Sequence, residues 1–218
     1  MKSSTGKFVI MIGVMTLVTA LSAAALVANY QNDGAHAQLL PDPVITLFPD
    51  PKPLAAFALT DHDGQVFDLT RLRGKWTFLF LGYTYCPDVC PTTLAQLARV
   101  RDRIAFQGAP TNDIQFVFVS VDPHRDTARL LKQYVAHFNA TFIGVTGNDR
   151  EIANLAGQIG ARYEVLATSG TDSYPVNHSA AVFLLDPRAR YHAVFKPPYD
   201  ADAISARFNL VRRLKGNG

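Results

Sequence analysis

Cysteine is nearly absent from this chain: Cys86 and Cys90 are the two in 218 residues. A four-cysteine zinc site is therefore excluded. A core of about 150 residues is large enough to be stable without staples, so folding has no need of a structural disulfide, though that reading stays open. Charge is also sparse, at 18% of residues with a net +3, and no basic run precedes the C-terminus. Nucleic-acid binding has no electrostatic footprint here. The basic residues of the last helical stretch, Arg207, Arg212, Arg213 and Lys215, read as a solvated face. There is no internal repeat, and no Gly-x-Ser-x-Gly elbow that would turn Ser179 beside His178 into a hydrolase site.

What the chain does have at its start is a long apolar run. Residues Phe8 to Ala28 form 21 positions without a charge. At about 1.5 Å per residue they span roughly 31 Å, the thickness of a bilayer's hydrocarbon core. Lys2 and Lys7 precede the run, while Asp33, Asp42 and Asp50 follow it. The positive-inside rule then leaves residues 1–7 in the cytoplasm, makes 8–28 an anchor in the inner membrane, and exports the rest to the periplasmic side. A cleaved signal peptide is the rival, because Ala35-His-Ala37 has the small-x-small pattern. No cysteine follows the run, so lipoprotein processing is not indicated. Five of the thirteen prolines fall between Pro41 and Pro53. Residues 29–53 accordingly read as an extended tether, and 54–218 as the globular domain.

Within that domain the hydrophobic period alternates between strand and helix. A hairpin around Asp61-His-Asp-Gly64 precedes an apolar strand, Trp76 to Leu81, and a helix from Thr92 to Arg103. Ile114 to Val121 reads as a buried parallel strand. Asp126 or Thr127 caps a helix to about Phe138. A strand, the helix Asp149 to Ile159, a strand at Arg162 to Leu166 and a polar loop from Ala167 to Asn177 follow. The hairpin Ala180 to Lys196 and a last helix opened by Asp200 or Asp202 complete the order. The expectation is an α/β, thioredoxin-like mixed sheet flanked by helices.

The cysteines stand at the first long strand-to-helix junction, in Tyr83-Thr-Tyr-Cys-Pro-Asp-Val-Cys-Pro91. Pro91 suits a first helical turn. Thiols there feel the positive end of the helix, which favours thiolate. Thiolates serve disulfide exchange and ligate soft metals alike, so the pair reads as a redox pair, a metal pair or a plain disulfide. Two thiolates suit Cu(I), and a third ligand would come from the six histidines. His178, in Pro175-Val-Asn-His-Ser179, precedes a strand on the side where such folds place their active cysteines. His124, past the end of a parallel strand, is a second candidate. His36 lies in the tether, and His62, His137 and His192 read as structural or solvated. Asp122 is a turn residue or an orienting group, Asp88 is solvated, and Tyr83 and Tyr85 flank the site.

These residues make the chain resemble the Sco/SenC family of copper-binding proteins, which assemble the binuclear copper centre of cytochrome c oxidase subunit II. The resemblance runs from about Leu54 to Leu214. It is carried by Tyr85-Cys-Pro-Asp-Val-Cys-Pro91, by Ser120-Val-Asp-Pro123 with Arg125-Asp-Thr127, and by Val176-Asn-His-Ser179 with Leu185-Asp-Pro187. It implies copper bound by Cys86, Cys90 and His178 and delivered to subunit II, with a thiol reductant protein as a second partner. It equally allows a thiol–disulfide reductase that uses Cys86 and Cys90 as a redox-active pair. Two departures stand out. The family commonly has an acidic residue where Asn177 stands, and Glu and Pro where His124 and Ala128 stand. The latter leaves an extra imidazole near the site as a conceivable fourth ligand.

Overall fold

Strand β4, Trp76–Gly82, and strand β5, Ile114–Ser120, pair in parallel from Trp76↔Ile114 to Gly82↔Ser120 and form the centre of the sheet. Both faces of this pair are covered, which is why the runs read as continuously apolar. The structure is a computed structural model that describes Ser22 and residues 44–108, 110–166 and 174–216. The remaining strands are β1 (Ile45–Pro53), β2 (Leu59–Asp61), β3 (Val66–Phe67), β6 (Ile143–Thr146), β7 (Tyr163–Val165), β8 (Val176–His178), β9 (Val182–Leu185) and β10 (Arg190–Phe195). The helices are α1 (Leu69–Leu72), α2 (Val89–Phe106), α3 (Ala128–Phe138), α4 (Asp149–Ile159) and α5 (Ala201–Gly216). Eight strands form one mixed sheet in the order β1-β10-β9-β4-β5-β6-β2-β3, and β7 and β8 form a separate two-stranded ribbon.

Side chains alternate across the sheet. The even positions Phe78 and Phe80 of β4 join Phe116 and Phe118 of β5 in one core with Leu94, Leu97 and Val100 of α2, Leu131 of α3 and Phe208 of α5. The odd positions Leu79 and Leu81 join Val117 and Val119 against Ile152, Leu155 and Ile159 of α4. Helix α2 buries Cys90, Leu94, Leu97, Val100 and Ile104, the spacing of one helical face. Two local signals terminate neighbouring helices as their residue types require. Asn148 accepts from the Glu151 N–H at the start of α4, and Gly160 closes that helix at φ 69°. Thr127, rather than Asp126, caps α3.

Two boundaries differ from the sequence expectation. The tether was expected to run to residue 53, but its last nine residues are strand β1, which pairs antiparallel with β10. The compact unit accordingly spans Pro43–Gly218. Proline has no N–H to give a ladder, so it marks edge strands as readily as tethers. Here β1 is the sheet edge, and its register breaks between Leu47 and Lys52, where Pro49 and Pro51 stand. The second difference is the loop expected up to Asn177: Val176–His178 is a strand, paired Tyr163↔His178 with β7. Apart from Ser22, the expected anchor at 8–28 lies outside the described residues, among which no helix is long and apolar enough to cross a membrane.

Candidate metal centre

Cys86 lies in the turn that follows β4, and Cys90 is the second residue of α2. Both are free thiols; Cys86 is half-buried and Cys90 buried. Asp88 at the helix N-cap makes no side-chain bond to the helix backbone; its carboxylate accepts from Thr92 Oγ1. The first-turn N–H of Cys90 instead points at the Cys86 sulfur, 3.5 Å away. The helix terminus therefore draws the Cys86 sulfur over Cys90.

His178 arrives from the ribbon. Its Nε2 lies 3.2 Å from Cys90 Sγ, and its Nδ1 lies 3.2 Å from the carbonyl oxygen of Ser179. A carbonyl can only accept, so Nδ1 carries the proton and Nε2 is the free lone pair facing the sulfurs. The ring is held edge-on by Phe80 and Tyr83, with centroids at 5.8 and 6.0 Å. Burial keeps the imidazole neutral by pushing its pKa below the ordinary value, against the opposing bond to Ser179. Burial also pushes the Cys90 thiol well above its ordinary range. The expectation of a thiolate at the helix end is thus reversed for Cys90, because desolvation outweighs the helix end. The two findings agree: a neutral Cys90 S–H donates to Nε2.

One donor atom from each of Cys86, Cys90 and His178 lies within 4.8 Å of the others, and this is the single such group among the described residues. Metal bonds of about 2.0–2.3 Å put two donors up to about 4.6 Å apart, so small side-chain rotations close the triangle on an ion. Two sulfurs and one imidazole nitrogen, walled by aromatic rings, fit a soft ion of low coordination number better than a hard, oxygen-seeking one.

The other candidates are used elsewhere. His124 is exposed and faces Asp149 at 3.6 Å, so it supplies no fourth ligand. His62 accepts from the Gly144 N–H, and His192 is buried beside Asp186 and Trp76. Ser179 spends its hydroxyl on both backbone groups of Arg162. Tyr83 is buried, whereas Tyr85 is exposed.

Two features went unread in the sequence. Gly82, the last residue of β4, has no room for a side chain: a Cβ there would lie 2.5 Å from Cys90 Sγ and 2.7 Å from Phe118. A glycine ending a buried strand next to the cysteine turn was the available signal. The other is the role of the buried Asp126, read in the sequence only as a possible helix cap and as part of Arg125-Asp-Thr127: it accepts from Thr84 N, Thr84 Oγ1 and Ser120 Oγ at 2.9, 2.6 and 2.5 Å. Burial raises its pKa in spite of these bonds.

Comparison with known proteins follows the same outline. The SCO1/SenC family profile matches residues 49–211. Protein SCO1 homolog 1, mitochondrial, of Arabidopsis thaliana is 36% identical over 150 residues, covering 68% of this chain and 44% of its own. A SCO2-like protein of Rickettsia prowazekii is 34% identical over 153 residues, covering 70% of this chain and 73% of its own. Among solved structures, copper-bound ScoI of Arabidopsis thaliana superposes with a TM-score of 0.66 at 33% identity, over 74% of this chain and 98% of its own. Copper-bound yeast Sco1 gives 0.66 at 27% identity, over 76% and 90%. The fold is thioredoxin-like, as in those structures.

Proposed function

The chain belongs to the SCO1/SenC family, and we propose that it is a copper chaperone whose cargo is held by Cys86, Cys90 and His178. The observation that carries this is the triangle of two sulfurs and one lone-pair nitrogen, all within 4.8 Å of one another. Copper-bound relatives of the same fold support the choice of ion. Cu(I) displaces the Cys90 proton and is held by the buried Cys90 sulfur. Cys86 and His178, both half-buried, form the side from which an acceptor can approach. Transfer then proceeds by ligand exchange: an acceptor thiolate joins the ion as His178 lets go. We assign the binuclear copper site of cytochrome c oxidase subunit II as the acceptor, and place the domain on the periplasmic side of the inner membrane, anchored by residues 8–28. Cu(I) loading there requires a thiol reductant partner, since the pair would otherwise oxidise.

The test is Cu(I) uptake by reduced protein. Wild type takes up one equivalent, and Cys86→Ser, Cys90→Ser and His178→Ala each weaken binding strongly. Unchanged binding in all three variants would refute the proposal. A transfer rate indifferent to removal of the acceptor's cysteines would refute the exchange step.

A second reading has an observation of its own. An accessible sulfur beside a buried one, both free, is also the arrangement of a thiol–disulfide reductase. That activity would keep the acceptor's cysteines reduced. It needs Cys86 and Cys90 but not His178, so disulfide exchange by His178→Ala separates the two readings.

A further inference from the structure

The three donors come from two pieces of chain far apart in sequence, 88 residues between Cys90 and His178. The cysteines belong to the β4–α2 junction, while His178 ends a ribbon of three residue pairs that, among the described residues, joins no other strand. A two-stranded ribbon of that size is marginal by itself. Something must set its distance from the sulfurs.

The turn between β5 and α3, Asp122-Pro-His-Arg-Asp126, touches both pieces. Asp126 holds the cysteine segment by accepting from the backbone and hydroxyl of Thr84, two residues before Cys86. Asp122 accepts from the hydroxyl of Tyr174 at 2.8 Å, four residues before His178. Asp122 also accepts from Arg125 Nε at 2.5 Å, and that guanidinium lies 3.6 Å over the Tyr174 ring. Ser120 links the two aspartates: its hydroxyl donates to the Asp126 carboxylate and accepts from the backbone N–H of Asp122. Both aspartates are buried.

We propose that this turn is a two-armed clamp that sets the spacing between the cysteine pair and His178, with Thr84 and Tyr174 as its grips. Asp122, Arg125 and Asp126 are positioning residues that touch no donor atom. The inference rests on the metal reading above and deepens it. It follows that the two arms act through different ligands.

The experiment uses the full, reduced chain and two readouts. The first is Cu(I) affinity by competition with a chromophoric chelator. The second needs no metal: amide hydrogen exchange and the imidazole NMR signals of His178. Tyr174→Phe removes the hydroxyl bond and leaves the ring on Arg125. It should weaken Cu(I) binding about tenfold, at the low end for loss of an outer partner of a metal ligand. That loss should vanish in a His178→Ala background. Exchange at Val176–His178 should speed up about tenfold, as expected for local opening, with β4 and β5 unchanged. Thr84→Val should also weaken binding, with its loss persisting without His178 and vanishing in Cys86→Ser.

Tyr174→Phe that leaves both affinity and exchange unchanged overturns the clamp. So does a loss of equal size with and without His178, which would mark a general effect on the fold. Asp122→Asn repeats the test should Tyr174→Phe misfold. Wild type that takes up no copper overturns the metal reading instead, and the clamp is then judged on exchange and imidazole signals alone.

Discussion

Gly82→Ala adds one methyl group at the point of closest approach between strand β4 and the metal triangle. Its Cβ would stand 2.5 Å from Cys90 Sγ and 2.7 Å from Phe118 Cε2. Comfortable contact lies at about 3.5–4.0 Å, so either the sulfur or the ring must retreat by roughly 1 Å. Neither has room: Cys90 is 0% and Phe118 1% exposed, Phe118 packs on Phe80 and Tyr134, and His178 Nε2 already stands 3.2 Å from the sulfur. Overpacking of this kind costs about 1–3 kcal/mol. For a chain of this size, a loss of about 2 kcal/mol lowers the melting temperature by roughly 4–8 °C. If the sulfur gives way, Cu(I) affinity falls as well.

Thermal unfolding of the metal-free protein and Cu(I) competition measure the two effects separately. Gly144→Ala is the control, since its Cβ would crowd Leu131 at 3.0 Å and meets neither sulfur nor imidazole among its nearest atoms. It should lose stability and keep its affinity. In a Gly82→Ala background, Cys90→Ala should return part of the lost stability, because it removes the atom being struck. Gly82→Ala with wild-type melting and wild-type affinity would refute the packing argument.

Three further outcomes are expected. Because burial raises the Cys90 pKa, the metal-free fold keeps its full stability below the unfolded thiol's value of about 8.5 and loses it as pH rises beyond that; urea midpoints should fall more from pH 7 to 10 in wild type than in Cys90→Ala. Cu(I) affinity, in contrast, should rise with pH, because binding releases the Cys90 proton. At Asp186 burial opposes the charge, but His192, Arg190 and the backbone N–H groups of Arg188 and Arg190 hold the carboxyl at about 2. Stability from that site is present above 3.8 and lost as pH falls towards about 2, so Asp186→Asn should flatten the acid limb of an unfolding titration. Asn148→Ala removes the cap of α4, and should cost about 1 kcal/mol in urea unfolding with copper affinity unchanged.

Much of this was legible in one dimension. The run around Val117 announced a buried parallel strand, and that around Phe78 an apolar strand, by composition alone, since a strand covered on both faces has no polar face to show. Gly160 marked the end of α4 through its φ, which needs no knowledge of the rest of the chain. The junction of Cys86 and Cys90 with α2 was readable for the same reason. By contrast, the prolines at 49, 51 and 53 misled, because an edge strand and a tether use the same residue for the same missing N–H. His124 stayed open between an exposed turn residue and a ligand, because the end of a parallel strand says which face a residue is near, not which way its side chain turns; here it is exposed and turns to Asp149.

The amino-acid order thus determined the periods, the caps and the placing of two thiols at a helix start, all of which are decided within a few residues. Folding decided the rest: that His178 offers Nε2 to Cys90, that Gly82 leaves room for the sulfur, and that Asp122 and Asp126 grip opposite sides of the site. These depend on groups up to 88 residues apart meeting at 3.2 Å. Desolvation at that meeting point, which no local pattern encodes, is what keeps Cys90 protonated and His178 neutral.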